Sequence, residues 1–416
     1  MNMKTIAVTN ASVCLLDKVV ILSLLLSTIL QTYGWGKFDF SFILTSILSV
    51  IYVFKNGFKS TLPKILTIYF VYRVFVHVIS SSSLSTIFPL GLLKIYMAYI
   101  MFFSIKEMDL FYKYYKNIAI ICLAFFYIQE FSYHILNHRI YSVLSFMPFA
   151  LDYDSVLTYY AEMDTAERSS SFFSEPAMFV QFLLPLLAIC LLSEKYRNYP
   201  FAAVITLSLL LMQSGNALLG LLIILICYLI GFFKKVRGPV VIFYILIGAI
   251  IIGVSAYVYI SSDIGQQLLQ RRVAIRSDSV EEMGYAGSGF VRIYRGYGVY
   301  EAYDPLRKII GNDDEKYMLS CISKSDVSSF FLRENDLYFN TFQTFLLFTG
   351  IVGAIMFFFV IREEWKQTNI AGKTILLTFV GLSFISSLYL TDTMALYLLL
   401  PMLMNESTKK KKPITT

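Results

Sequence analysis

The sequence predicts an all-α integral membrane protein of about 12 transmembrane helices with two large extracytoplasmic loops. Hydrophobic residues make up 57% of the 416 positions, charged residues only 15%, and the mean hydropathy is +0.65. A water-soluble surface needs far more charge than this. Long apolar runs recur along the chain, each near the roughly 20 residues that cross a ~30 Å hydrocarbon core as a helix. A soluble enzyme or a single-span anchor is therefore not expected.

Polar breaks divide the apolar runs into candidate spans. A helix satisfies its own backbone amides, which lipid cannot do. The first run lacks a small-residue cleavage site after Gln31, so we expect a retained span and not a signal peptide. The predicted spans are residues 19–35, 38–54, 64–82, 87–105, 117–136, 176–193, 200–213, 216–233, 239–260, 336–361, 374–390 and 391–405.

Lysines and arginines in the short connections predict the orientation of these spans. With twelve spans, the basic connections, which begin after the second span and end with the KKKK run at 409–412, all fall on one side. Cytoplasmic loops carry an excess of such residues, so both termini are predicted to be cytoplasmic. The net charge of +7 is then a topology signal, and no nucleic-acid partner is expected.

Two connections on the opposite face are too long to be turns. These are 137–175, the first large outer loop, and 261–335, which we interpret as an outer cap on a single membrane domain, 1–416. Both hold arginines against the usual bias. An anionic ligand is one explanation; the other is that acidic residues such as Asp313 merely balance them. The phrase MGYAGSGF indicates turns in the cap. Cys321 is the one cysteine in a polar loop, so neither a disulfide nor a metal cluster is expected.

Several ionisable residues fall inside predicted spans, namely Arg73, His77, Lys94, Glu130 and His134. A charge at the bilayer centre costs at least ~2.5 to 3.5 kcal/mol, so such groups usually face protein or water. All five fall in the outer halves of spans three, four and five. We therefore predict an outward-facing polar cavity whose cations suit an anionic head group. The alternative is that the cations snorkel to lipid phosphates, or that Glu130 neutralises one of them.

A distinctive motif, RSSSFFSEPAMFVQFLLP, runs from Arg168 to Pro185 where the sixth span begins. Pro176 suits the first turn of a helix, and Glu175 precedes it where the positive end of the helix dipole favours a carboxylate. A cation and a carboxylate are thus predicted at the outer surface. Such a pair can perform acid or base chemistry, or Glu175 can be an ordinary helix cap.

This motif resembles the Wzy-type polymerases, which join O-antigen and capsule repeat units in bacteria. SGFVRIYRGYGVYEAYDPLRKIIG, from Ser288 to Gly311, is similar to that family's serine, glycine and arginine segment. ENDLYFNTFQTFLLFTGIVGAIMFF, from Glu334 to Phe358, looks like its span with a G-I-x-G step, and Arg276 to Gly287 matches an Arg-x10-Gly spacing. The only loop histidine, His138, lies outside these segments, so no histidine base is assigned.

The resemblance implies a glycosyltransferase of the bacterial inner (plasma) membrane that acts on its outer face. Its substrate would be an undecaprenyl-pyrophosphate-linked oligosaccharide, with the polyprenyl pyrophosphate as leaving group. Lipopolysaccharide synthesis also implies a flippase, and a chain-length regulator is expected as a partner through the family alone. We expect metal-independent transfer, without a cofactor.

We assign roles by chemistry, because a pyrophosphate favours the planar, bidentate guanidinium group. Glu175 is the candidate base, Arg292 the candidate leaving-group stabiliser, and Arg168 completes the catalytic set. The candidate substrate-binding residues are Arg276, Arg295, Arg73, Lys94 and Glu130.

Three other functions stay open at this stage. A ligase of the same superfamily, which transfers finished glycan, fits the same features. A flippase or other transporter would show two similar halves with broken helices at matching positions, and the two outer loops differ in size and composition. A channel or receptor would need a filter-like motif. The sugars, the linkage, the glycan class and the oligomeric state are not predicted.

Overall fold

The computed structural model describes residues 15–31, 33–35, 38–57, 62–80, 87–142, 147–148, 169–233, 288–324 and 339–409. Helices dominate these ranges. A short antiparallel ribbon pairs β1 (Gly34–Trp35) with β2 (Phe38–Asp39) between the first two helices. The helices are α1 (Leu15–Leu30), α2 (Phe40–Asn56), α3 (Lys64–Ser80), α4 (Ile87–Phe102), α5 (Met108–Leu136), α6 (Pro176–Leu192), α7 (Tyr199–Leu211), α8 (Gly215–Phe233), α9 (Ser288–Glu301), α10 (Pro305–Ile310), α11 (Glu315–Lys324), α12 (Thr341–Gln367), α13 (Ile370–Ser383) and α14 (Asp392–Lys409).

Helices occupy eleven of the twelve predicted spans, and the ninth, 239–260, lies outside the described residues. Among the described residues, three helices are long and apolar enough to cross a membrane: α5, α12 and residues Gly215–Phe232 of α8. Five more apolar helices are shorter than 18 residues. The predominantly helical fold is thus confirmed, its apolar helices suit a membrane protein, and the number of spans stays a prediction.

Helix α5 begins at Met108, nine residues before the predicted start of the fifth span at 117. Lysines lower the hydropathy of this first part, so the predicted span began later than the helix does. Met108, Phe111 and Tyr115 nevertheless follow helical spacing, and all three are buried. The polar residues between them face outward, so the extra two turns are amphipathic.

Helix α6 is buried along almost its whole length and packs against α7, α8, α13 and α14. Its sequence is apolar on every side, as expected for a helix surrounded by others. Gly220 of α8 lies so close to Leu184 of α6 that any side chain there would overlap the leucine. Close packing therefore surrounds the helix that begins with Pro176.

The region predicted as an irregular cap contains three helices, α9 to α11, which we call the cap helices. The expectation of turns at MGYAGSGF, residues 283–290, is wrong for residues 288–290, which begin the helix Ser288–Glu301, and residues 283–287 lie outside the described part. Glycines weaken its intrinsic helix propensity, but tertiary packing overrides propensity. Gly296 lies against the side chain of Gln343 in α12, where a larger residue would not fit. Cys321, expected in a polar loop, is buried in the small apolar cluster of this region.

Helix α12 is broken at Gly350, whose φ of 60° and ψ of −167° are not helical. The chain after α10 crosses at this break: Asn312 N–H donates to the carbonyl oxygen of Leu347 (2.9 Å), and Tyr72 Oη donates to that of Ile310 (2.9 Å). A side chain on Gly350 would overlap the backbone of Ile309. The break therefore leaves space beside α12 for residues 309–313, which we call the cap segment.

Candidate functional site

Polar contacts gather at one end of the bundle, which we call the cap end. Here α8 and α12 begin and α13 ends: Ser386 after α13 donates to Asn216 Oδ1 (2.9 Å), and Thr341 N–H donates to the Ser386 carbonyl oxygen (2.8 Å). The connection around residues 33–35 meets the segment after α5 at the same end, where Tyr33 Oη donates to the carbonyl oxygen of Ser142 (3.3 Å). Several of the predicted outer connections thus lie together.

A buried ion cluster joins α3 to the cap segment at this end. Arg73 Nη2 and His77 Nδ1 each lie 2.5 Å from an oxygen of Asp313, whose side chain is 6% exposed. Arg73 Nε also donates to Tyr389 Oη (3.1 Å), which accepts from Tyr69 (2.9 Å). One of the two explanations for the outer arginines had Asp313 balance them, but Asp313 pairs with a residue of α3.

The burial of Arg73 limits what its charge can do. Only 2% of the side chain is exposed, and Phe348 lies over the guanidinium with its ring centroid 5.0 Å away. In a low-dielectric site an arginine is held by its carboxylate, because separating them leaves two bare charges. In this conformation Arg73 is a structural cation, and its predicted contact with substrate stays a prediction.

Lys94 belongs to a second cluster, in which two carboxylates interact with its charge. They are Asp39, which caps α2 by accepting from Phe42 N (2.6 Å), and Asp392, which accepts from Ser41 Oγ (2.6 Å). The ammonium lies 4.7 Å from the centre of the Phe42 ring. Neither carboxylate was singled out from the sequence, although each is the second residue of a predicted span, 38–54 and 391–405.

Glu130 pairs with His134 one turn later, with 3.4 Å between Oε2 and Nε2. This bears out the spacing argument that the two share a helix face. The five ionisable residues of the predicted spans therefore divide among three sets of partners. The common cavity stays a prediction.

The serine-rich turn before α6 is held by buried hydrogen bonds. Ser170 Oγ bonds Ser142 Oγ (2.6 Å), and Ser171 Oγ donates to the carbonyl oxygen of Cys122 (2.7 Å). Gln129 Oε1 accepts from Ser171 N (2.8 Å), and Ser171 has a φ of 57°. Gln129 is a polar residue inside a predicted span, which is a signal that the sequence analysis did not use.

Glu175 directly follows this turn and directly precedes α6. Its backbone is extended, its side chain makes no capping hydrogen bond, and it is half-buried. Within the described ranges, nothing bonds or pairs with the Glu175 carboxylate. An anchored loop thus presents an available proton acceptor at the cap end, which is the arrangement a general base requires.

The predicted arginine clamp is only partly described. Arg168 and Arg276 lie outside the described residues. Arg292 is on α9, and its side chain is likewise outside the description. Arg295, one turn further along α9, is 6% exposed. The clamp stays a prediction.

Within the same described ranges, no group of three or more His, Cys, Asp or Glu side chains is placed to hold a metal ion. Comparisons of the chain with protein families, with characterised proteins and with solved structures find no match.

Proposed function

We propose that this chain joins undecaprenyl-pyrophosphate-linked oligosaccharide repeat units into a polysaccharide of the O-antigen or capsule type, on the outer face of the bacterial inner membrane. The observation that carries the proposal is the carboxylate of Glu175, which has no partner among the described residues and follows a turn held by buried serines at the cap end of an apolar helix bundle. A lipid-linked substrate places its reacting sugar at this depth, beside the membrane surface.

The reaction we propose is a direct glycosyl transfer. Glu175 takes the proton of an acceptor hydroxyl, and the hydroxyl oxygen forms a bond to the anomeric carbon of the donor. The bond from that carbon to the pyrophosphate oxygen breaks, and the pyrophosphate leaves with the electron pair. Arg292 and Arg168 stabilise its charge, with Arg276 and Arg295 in support. A positioned base typically contributes ~10²- to 10⁴-fold to such a step.

The anchoring of the serine-rich turn supports this role. A catalytic base accelerates transfer only when it is held near the reacting geometry, and a misplacement of about 1 Å can cost about 100-fold. The turn is tied to α5 through Gln129 and to Ser142 through Ser170. Both anchors are buried, so water does not compete with their hydrogen bonds.

The test is a strain that lacks the gene, complemented with variants at matched protein levels and displayed on a glycan gel. We expect wild type to restore a ladder, and Glu175→Gln and Arg292→Ala to leave single repeat units, with polymerisation reduced about 100-fold or more. Glu194→Gln is the matched control, because Glu194 is an exposed glutamate just beyond the opposite end of α6.

Three results would contradict the proposal or part of it. A full ladder with Glu175→Gln would remove Glu175 as the base. Glycan missing entirely from the gene-deletion strain would favour a flippase. Finished polymer accumulating on its lipid carrier would favour a ligase.

A further inference from the structure

A polar cavity of about 370 Å³ opens at the end of α5, and neither Glu175 nor a residue of the buried ion cluster lines it. Tyr133, His134, Asn137 and Arg139 line it. The Arg139 guanidinium carbon lies 5.3 Å from the centre of the Tyr133 ring, so the two planar groups form one wall. This volume is within the range of small-molecule sites, which begins at roughly 300 Å³.

Hydrogen bonds between α5 and the residues that follow it hold the cavity wall in place. Ser132 Oγ donates to the carbonyl oxygen of His138 (2.6 Å), and the backbone N–H groups of Asn137 and His138 both point to the Ser132 carbonyl oxygen. Gln129 Nε2 donates to the carbonyl oxygen of Ile140 (3.2 Å), directly after Arg139. A preformed site loses little conformational entropy when a ligand binds.

The chemistry of the cavity matches a saccharide better than a simple anion. Arg139, the Asn137 amide and the Tyr133 hydroxyl can donate hydrogen bonds to a ligand, while the Asn137 oxygen and the Tyr133 hydroxyl can accept them. Sugar hydroxyls need both kinds of partner.

The cavity is physically connected to the candidate base. Gln129 bonds both Ile140 in the cavity loop and Ser171 in the turn that precedes Glu175. Three residues separate Ser171 from Glu175, so the same buried amide orients both segments. A saccharide of a few units bound in the cavity is therefore positioned by the same buried side chain, Gln129, that orients the segment leading to the candidate base Glu175.

We infer that this cavity is a saccharide subsite, which binds one or two sugar residues of the acceptor repeat unit. The acceptor assignment rests on the proposed polymerase function, whereas the affinity for saccharide does not. The site lies at the membrane surface, because exposed apolar side chains of α5, Phe131 and Ile135 among them, directly adjoin it.

The test measures binding to the purified full-length protein in nanodiscs. The probe is the repeat-unit oligosaccharide released by mild acid from the glycan of the wild-type strain, titrated by calorimetry. Arg139→Gln and Tyr133→Leu should each weaken its affinity about tenfold, as expected for lost hydrogen bonds and ring contact. Asn137→Gly is a third variant that keeps the fold, since glycine accepts the positive φ of 50° at this position.

Arg197→Gln is the matched control, because Arg197 also stacks on a tyrosine, Tyr199 (5.8 Å), but at the opposite end of the bundle. Its affinity should equal that of wild type. Unchanged affinity in the cavity variants would overturn the subsite, and so would displacement of the probe by inorganic phosphate and not by free monosaccharide.

The two proposals fail in different ways. A glycan ladder that disappears with the gene, together with unchanged binding in the cavity variants, would overturn the subsite and leave the polymerase. Weakened binding in those variants, together with a ladder that persists without the gene, would support the subsite and overturn the polymerase. Glu175→Gln should abolish the ladder but keep the affinity.

Discussion

Asp313 shows how much one side chain decides when it is buried between two partners. It accepts from Arg73 and His77 with its two oxygens, and its own backbone N–H donates to Ser80 Oγ (2.9 Å). Three residues of α3 thus hold one residue of the cap segment. Breaking a buried ion pair from one side is costly, because the remaining charge keeps its desolvation penalty.

We expect Asp313→Asn to lower the free energy of unfolding by ~3 kcal/mol or more, because Arg73 would lose its counter-charge in a buried site. The measurement is thermal unfolding of the purified protein in detergent, compared with Glu363→Gln. Glu363 pairs with Lys366 (3.1 Å) on an exposed surface, where such a pair contributes at most ~1 kcal/mol. Equal changes in the two variants would show that the Arg73 pair is not a buried anchor.

At the scale of elements, the break in α12 and the segment after α10 form one unit. Two glycines face each other there: Gly350 with φ of 60° and Gly311 with φ of 89°. Each would overlap the other segment's backbone if it carried a side chain. The G-I-x-G step in this span therefore has a physical reason, which is the close crossing of two backbones.

We expect Gly350→Ala to detach the cap helices from the bundle and to lower stability by roughly 2 kcal/mol or more, from the strained positive φ and the overlap with Ile309. Limited proteolysis should cut within 288–324 faster than in wild type. Gly91→Ala is the control, because Gly91 is helical with open space beside it, so alanine should be neutral or slightly stabilising. Equal proteolysis of both variants would argue against docking at the break.

At the scale of the whole molecule, the two ends of the bundle differ in their contacts. The cap end holds the ion clusters, the serine-rich turn and the cap helices. At the opposite end, Tyr196 donates to Asp109 (2.6 Å), and Thr368 Oγ1 donates to the carbonyl oxygen of Pro401 (2.8 Å). The positive-inside rule assigns this second end to the cytoplasm.

Cysteine labelling tests that assignment. His138 is exposed at the cap end and Glu194 at the opposite end, so His138→Cys should react with an impermeant maleimide in intact spheroplasts, and Glu194→Cys only after permeabilisation. The background is low because Cys122, Cys190, Cys227 and Cys321 are buried. Cys14, outside the described residues, is replaced by serine. Labelling of Glu194→Cys in intact spheroplasts would reverse the predicted orientation.

The candidate site was predictable only in part, and the reason differs from residue to residue. Glu175 could be placed at a helix start because proline and the serine-rich motif are local signals. The pairing of Glu130 with His134 followed from helical spacing. The partner of Asp313 could not be predicted, since Arg73 lies 240 positions away in the chain and no local pattern connects the two residues.

The sequence alone determined the helical class, most helix positions and the place of Glu175 directly before α6, because hydropathy, helix periodicity and helix-start residues act over a few turns of chain. Only the tertiary structure decided the helices of the cap, the break at Gly350 and the partners of Arg73 and Lys94. Each of these depends on contacts between segments that are far apart in the chain. Such tertiary contacts override local helix propensity, because they bury apolar groups and pair buried polar ones.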